Sequence, residues 1–238
     1  QRNAYIGATR DQVKELSNKF VALGADKETI GFSNSRLAYD EIISKFCFAV
    51  ETHTLKKKIT SNDISFQYRQ AVPFSDECIE IVDETLRKFM ICVSEWKDFK
   101  FSFNKATIFS WFVYIRRNLD SETTDLQNTI SYMEFCRAYI KGKYKKVDDK
   151  YIKTFLSLQK QVPFFEVMLN TFNQRTSMGS TDALSIIYRD IIITLFRDML
   201  WNEESELLQY TMGTFAEVEN FNYTLEKIVE KYNWGENF

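Results

Sequence analysis

Residues that interrupt helices are scarce in this chain, which contains only 2 prolines and 7 glycines among its 238 residues. Between them lie long stretches in which apolar residues recur every three or four positions, the spacing of a helix with one buried face. A fold of many short β-strands needs frequent turn residues, so this pattern favours helices. We predict an all-α protein, a multi-helix bundle of roughly eight to ten helices.

Ten segments carry this helical spacing. They are residues 11–23, 35–52, 60–68, 75–99, 104–118, 124–141, 148–161, 164–173, 181–201 and 214–232. Asn34 precedes the second segment and is a predicted N-cap, because an Asn side chain accepts a hydrogen bond from a free amide of the first turn, and Asn104 is predicted to open the fifth. Segment 75–99 shows the most regular apolar spacing and is predicted to be a core helix.

The composition supports a sizeable core. Hydrophobic residues make up 45% of the chain and aromatic residues 16%, which is enough apolar surface to offset the entropy lost on folding. A chain of this length forms either one large domain or two packed helical subdomains. The polar stretch 121–125 is the predicted boundary between an N-terminal helical subdomain, 1–120, and a C-terminal one, 121–238, packed together as one unit.

The cysteines indicate a reducing compartment. They are widely spaced, form no Cys-x-x-Cys pair and have mostly apolar neighbours: Cys47, Cys78, Cys92 and Cys136. We interpret them as buried reduced thiols and expect a cytoplasmic protein. No signal peptide and no bilayer-length apolar run is seen, so no membrane association is expected. Because the chain starts with Gln1 rather than Met, we expect it to be a fragment of a longer polypeptide.

Sequence motifs for catalysis, metals and cofactors are missing. The only histidine, His53, has no Ser, Cys or carboxylate at a spacing typical of a catalytic triad and is interpreted as a polar residue at a helix end. The Glu-x-x-His pairs that hold metals in helical bundles are absent, as are Gly-rich phosphate loops. The Met-Gly-Ser-Thr stretch at 178–181 is interpreted as a helix start with Ser180 or Thr181 as N-cap. We therefore predict no catalytic, cofactor or metal residues and no enzyme activity for the fragment.

One enzymatic alternative stays open, a helical hydrolase that uses the carboxylates of Asp40 or Glu41. A structural role for the same residues predicts that their replacement changes stability instead.

Arg189 lies in a predicted helix rich in isoleucine, and a buried arginine there is expected to have an acidic partner.

Two basic clusters are candidates for contact with nucleic acid. They are Lys141, Lys143, Lys145 and Lys146 in a predicted loop, and Arg116 and Arg117 at a predicted helix end. The lysines surround Tyr144, and lysine interleaved with an aromatic residue is typical of sites that bind a nucleic-acid backbone. A solvated loop and a favourable helix C-terminus explain the same residues. The net charge of −2 gives no overall basic character, so DNA contact is the alternative function.

Three stretches together resemble a known family. The first contains Arg2 and Asn3 and continues to Leu16. The second, Phe32 to Glu41, contains Asn34, Arg36, Asp40 and Glu41. The third runs from Arg175 to Arg189. In order and spacing they resemble the helical region that follows the ParB-like nucleotidase domain in the GmrSD-type restriction endonuclease family.

The resemblance implies a non-catalytic helical interaction or regulatory domain of a bacterial, nucleotide-dependent anti-phage restriction protein. The family's nucleotidase motif, Asp-Gly-Gln-Gln-Arg, would precede this region, so an NTP and a divalent metal would bind elsewhere in the parent chain. The implied partners are the upstream nucleotidase domain, an HNH nuclease module and DNA. The resemblance assigns no role to Arg2, Asn3, Arg36, Asp40 or Glu41.

Overall fold

The computed structural model describes residues 7–70, 72–94, 96, 98–144, 149–177 and 182–238. These ranges contain twelve α-helices and no strand, which confirms the all-α prediction and exceeds the expected eight to ten helices. The helices are α1 Ala8–Ala22, α2 Lys27–Ile30, α3 Ala38–Glu51, α4 Ser61–Gln70, α5 Asp76–Ser94, α6 Lys105–Arg117, α7 Thr123–Tyr139, α8 Asp149–Gln161, α9 Phe165–Ser177, α10 Ala183–Leu200, α11 Glu206–Val218 and α12 Phe221–Tyr232. None of the helices in these ranges combines the length and apolarity needed to cross a bilayer.

The two asparagines predicted at helix starts differ in detail. Asn104, which was predicted to open a helix, is the N-cap of α6, because its side chain accepts a hydrogen bond from the backbone amide of Thr107 at 2.9 Å. Asn34 also accepts from a backbone amide, that of Tyr39 at 2.8 Å, but a 3-10 turn over Ser35–Leu37 lies between them. The helix predicted to begin at residue 35 therefore begins at Ala38.

Several predicted boundaries are wrong. Segment 214–232 is two helices, because Glu219 has a left-handed backbone (φ 51°) and the Asn220 side chain caps a new helix, α12. Helix α11 begins at Glu206, where no helix start is predicted, and Ser205 caps it. Helix α5 ends at Ser94, not at 99. The proposed caps Ser180 and Thr181 lie outside the described residues, and the N-cap of α10 is Asp182.

Helix α6 lies at the centre of the bundle, buried from Ala106 to Ile115. It packs against α3, α5, α9 and α10. The Phe112 ring contacts those of Phe46 and Phe89 with centroid separations of 5.4 and 5.3 Å. Such aromatic pairs stabilise a core by about 0.5–1.5 kcal/mol beyond the apolar area that they bury.

Apolar residues from both sides of the stretch 121–125 belong to one buried cluster. The division into subdomains at that stretch stays a prediction. All four cysteines are buried and carry no disulfide, as expected for reduced thiols. Burial raises the pKa of the Cys47 and Cys136 thiols.

The expected acidic partner of Arg189 is not found among the described residues. The side chain is fully buried, Nε donates to the hydroxyl of Ser110 at 2.7 Å, and Nη1 donates to the backbone carbonyl of Arg175 at 2.8 Å. The buried Nη2 has no hydrogen-bond partner. Burial therefore lowers the pKa of this guanidinium.

Candidate functional site

Two of the predicted lysines line a polar pocket beside the end of α7. The pocket has a volume of about 70 Å³ and is open to solvent on one side. Its polar walls come from α7, from the loop after it and from α9, namely Glu134, Arg137, Lys141, Lys143, Tyr144 and Asn173. The aromatic rings of Phe99 and Phe101 complete it on the side of the segment between α5 and α6.

Arg137 is the fixed cation of this basic pocket. Its side chain is only 8% exposed, and Nε donates to Oδ1 of Asn173 at 3.1 Å while Nη1 donates to Oε1 of Glu134. The guanidinium also lies 4.2 Å from the ring centroid of Phe172. No hydrogen bond of Nη2 is found within the described residues. Arg137 is thus held in place, and within the described part of the chain its second amino group has no acceptor.

Glu134 is shared between the pocket and the core. Oε1 accepts from the indole Nε1 of Trp111 at 2.9 Å as well as from Arg137. Because the Glu134 side chain is 11% exposed and Trp111 is fully buried, these bonds lie mostly out of water. The carboxylate is therefore fixed by two donors and is not available as a mobile counter-ion.

The loop after α7 brings the two lysines back over its last turn. Gly142 has φ 78°, which suits glycine, and its amide donates to the Tyr139 carbonyl at 2.8 Å. The amide of Lys143 donates to the Ala138 carbonyl at 3.1 Å, so the helix ends in the paired bonds of a Schellman motif. Tyr144 then anchors the loop, because its hydroxyl donates to the Lys100 carbonyl at 2.6 Å.

Positive charge exceeds negative charge in the basic pocket. Among the residues that the structure describes, three cations, Arg137, Lys141 and Lys143, face one carboxylate, Glu134, which leaves an excess of two positive charges. Burial lowers the pKa of Arg137, although the charge of Glu134 opposes this change. Partial burial also lowers the pKa of Lys141, and repulsion by Arg137 and Lys143 lowers it further. An anion in the pocket would relieve this repulsion.

The other half of the predicted basic surface lies elsewhere. Arg117 donates from Nε to Oδ2 of the buried Asp190 at 2.9 Å, and the indole Nε1 of Trp234 donates to the same oxygen at 2.7 Å. Arg116 is half-buried, with its guanidinium 5.5 Å from the ring of Phe238. These two arginines hold the segment after α12 against α6, and no described contact joins them to the basic pocket. Lys145 and Lys146 lie outside the described residues.

Two residues of the stretches that resemble the GmrSD-type family, Asp40 and Glu41, form contacts within the fold. Asp40 accepts hydrogen bonds from Ser17 on α1 at 2.8 Å and from Asn34 at 3.3 Å. Glu41 forms ion pairs with Lys45 at 2.8 Å and Lys105 at 2.7 Å.

The resemblance also includes Arg36, Arg2 and Asn3, to which it assigns no role. Arg36 is exposed on the 3-10 turn, with a left-handed backbone of φ 57°. Arg2 and Asn3 lie outside the described residues, as does part of the loop before α10. The carboxylates of Asp40 and Glu41, which the hydrolase alternative needs, are both engaged in these internal bonds.

His53 is exposed just after α3, as predicted for a residue at a helix end. It lines a small cavity with Glu51, Ser75 and Cys78, but Ser75 donates to Glu51 at 2.8 Å and Cys78 donates to the Cys47 carbonyl at 3.4 Å. No described hydrogen bond links the imidazole to these groups. Over the described ranges, no group of three or more His, Cys, Asp and Glu side chains is placed to hold a metal ion.

Three polar residues of the basic pocket are not predicted from the sequence: Arg137, Glu134 and Asn173. Glu134 and Arg137 are three residues apart in a predicted helix, a spacing that places their side chains side by side. This spacing is the sequence signal that predicts an ion pair between Glu134 and Arg137. Asn173 is contributed by α9, and no local pattern predicts that it would meet Arg137. Comparisons of the chain with protein families, with curated proteins and with solved structures find no match.

Proposed function

We propose that this chain is a helical binding module that holds a phosphate of a nucleic-acid backbone in the basic pocket. The observation that carries the proposal is the convergence of Arg137, Lys141 and Lys143 on one pocket, to which the described part of the chain contributes a single carboxylate. The proposed DNA contact keeps Lys141 and Lys143 of the predicted basic clusters, and Arg137 takes the place of Arg116 and Arg117.

The pocket suits a phosphate better than a larger group. Its volume of about 70 Å³ accepts a group of a few heavy atoms, whereas whole organic ligands generally occupy pockets of about 300–1,000 Å³. A guanidinium that keeps a free amino group donates well to phosphate oxygens, and two nearby ammonium groups add attraction without a fixed geometry. Since the net charge of the chain is −2, this attraction is local.

The test is binding of short fluorescent DNA, single- and double-stranded, measured by anisotropy. The double variant Lys141→Gln/Lys143→Gln should bind roughly 100-fold more weakly, because it removes two hydrogen bonds to a charged group and each contributes about 1.5 kcal/mol. Lys153→Gln/Lys160→Gln is the matched control, since it removes the same charge from exposed positions on α8. Equal affinities of the two double variants, or no DNA binding by the unchanged chain, would refute the proposal.

We also propose, from the resemblance to GmrSD-type proteins, that the chain serves as the helical interaction domain of a larger nucleotide-dependent restriction protein. In support, Asn34 and Asp40 of the resembling stretch join α1 to α3, which is a scaffold role. A nucleic-acid pocket would suit such a protein. The isolated chain should then show neither NTP hydrolysis nor DNA cleavage, and robust turnover by the purified chain would contradict this proposal.

A further inference from the structure

An aromatic groove lies directly beside the basic pocket. It has a volume of about 430 Å³, and Trp96, Phe99 and Phe101 line it together with Val93 at the end of α5. Phe99 and Phe101 also line the basic pocket, so the two depressions share a wall. The Lys100–Glu28 ion pair, 2.6 Å long and well exposed, lies at the edge of the groove.

The chemistry of the aromatic groove differs from that of the basic pocket. Trp96 and Phe99 are partly exposed, and their rings are held by edge-to-face contacts with Tyr151 at centroid distances of 5.9 and 5.6 Å. The volume lies in the range of small-molecule sites, which the basic pocket does not reach. Flat aromatic rings at fixed positions next to a phosphate-sized basic pocket match the two parts of a nucleotide.

We propose that the aromatic groove takes one unpaired base of a single-stranded nucleic acid, while the adjoining phosphate occupies the basic pocket. This inference rests on the proposed function. In a duplex the bases are paired and stacked within the helix, so their faces are not available to protein rings. An unpaired base can contact aromatic side chains, and such a contact contributes about 1–3 kcal/mol per base.

The direct test changes the ligand and leaves the protein intact. Binding of the full chain is compared by anisotropy among three labelled DNAs of equal length: a single strand, the same strand with abasic sites throughout, and a duplex. The single strand should bind about 5- to 150-fold more tightly than the abasic strand, the ratio that corresponds to one stacked base. It should also bind more tightly than the duplex.

A protein variant gives the second arm. Trp96→Leu keeps an apolar side chain but removes the ring, and should weaken single-strand binding while leaving abasic-strand binding unchanged, because Trp96 lines the aromatic groove and not the basic pocket. Trp201→Leu is the matched control, because Trp201 is 40% exposed just after α10 and lines neither depression. Circular dichroism and the melting temperature establish that each variant is folded.

The outcomes separate the two proposals. If the abasic strand or the duplex binds as tightly as the single strand, and Lys141→Gln/Lys143→Gln still weakens binding, the inference on the aromatic groove is overturned and the basic pocket stands. If none of the three DNAs binds, the proposed function falls and the inference falls with it.

Discussion

The Glu134–Arg137 pair offers a sharp test of how charge is balanced in the basic pocket. Glu134→Gln keeps an oxygen that can accept from Trp111 and Arg137 but removes the one carboxylate among the described lining residues, so their excess positive charge rises from two to three. Breaking a buried ion pair by neutralising one partner costs about 3–5 kcal/mol. Because Gln retains the acceptor and Arg137 keeps Asn173 and the Phe172 ring, we expect the lower value.

A loss of about 3 kcal/mol lowers the melting temperature of a chain of this size by about 6–12 °C. The exposed Glu217 on α11, changed to Gln, is the matched control and should melt like the unchanged chain. Both variants are then melted in sodium phosphate and in sodium chloride of equal ionic strength. Phosphate should stabilise Glu134→Gln more than the control, since a ligand at 100 times its Kd adds about 2.7 kcal/mol to the free energy of unfolding.

Two results would refute this reasoning. If Glu134→Gln melts within 2 °C of the control, Arg137 does not depend on its carboxylate partner. If phosphate and chloride stabilise the variant equally, the unpaired cations do not form an anion site.

Three other predictions concern stability. Asn104→Ala removes the cap of α6 and should cost about 1 kcal/mol in urea unfolding; no loss would mean that the cap is dispensable. Burial raises the pKa of Asp190, so the folded chain binds a proton on this carboxyl more tightly than the unfolded chain does. The free energy of unfolding should therefore fall as pH rises from about 4 through the folded pKa, and Asp190→Asn should remove this pH dependence. Burial opposes ionisation of Glu41, but hydrogen bonds from Lys105 and Lys45 outweigh it and lower its pKa to about 2. The stability difference between the unchanged chain and Glu41→Gln should therefore be full above pH 4.5 and disappear as pH falls towards 2; a difference that is constant with pH would contradict this.

Helices were predictable wherever the local pattern decides the backbone. Asn104 and the apolar spacing after it define α6 because capping and burial act within a few residues. The break between α11 and α12 was not predictable, because glutamate is common within helices and yet Glu219 adopts a left-handed backbone there. The 3-10 turn at Ser35–Leu37 was not predictable either, because Arg36 and Leu37 have positive φ, which their residue types do not indicate.

The candidate site was predictable only in part. Clustered lysines with Tyr144 indicated the loop, and the pocket contains Lys141, Lys143 and Tyr144. Its central residue, Arg137, belongs to a helix whose buried face could not be identified from local spacing. Among the described residues the acidic partner expected for Arg189 is not found, and its guanidinium instead donates to a hydroxyl and a carbonyl on other helices. Contacts between residues far apart in the sequence depend on how the helices pack, and local sequence patterns do not predict that packing.

The most direct measurement is the salt dependence of single-stranded DNA binding by the unchanged chain and by Lys141→Gln/Lys143→Gln. Each phosphate contact contributes about −0.7 to the slope of log K against log salt concentration for single strands. If both lysines contact phosphates, the slope of the double variant should be shallower by about 1.4, while Lys153→Gln/Lys160→Gln should keep the slope of the unchanged chain. Equal slopes for all three proteins, or binding that does not respond to salt, would contradict a phosphate site in the basic pocket.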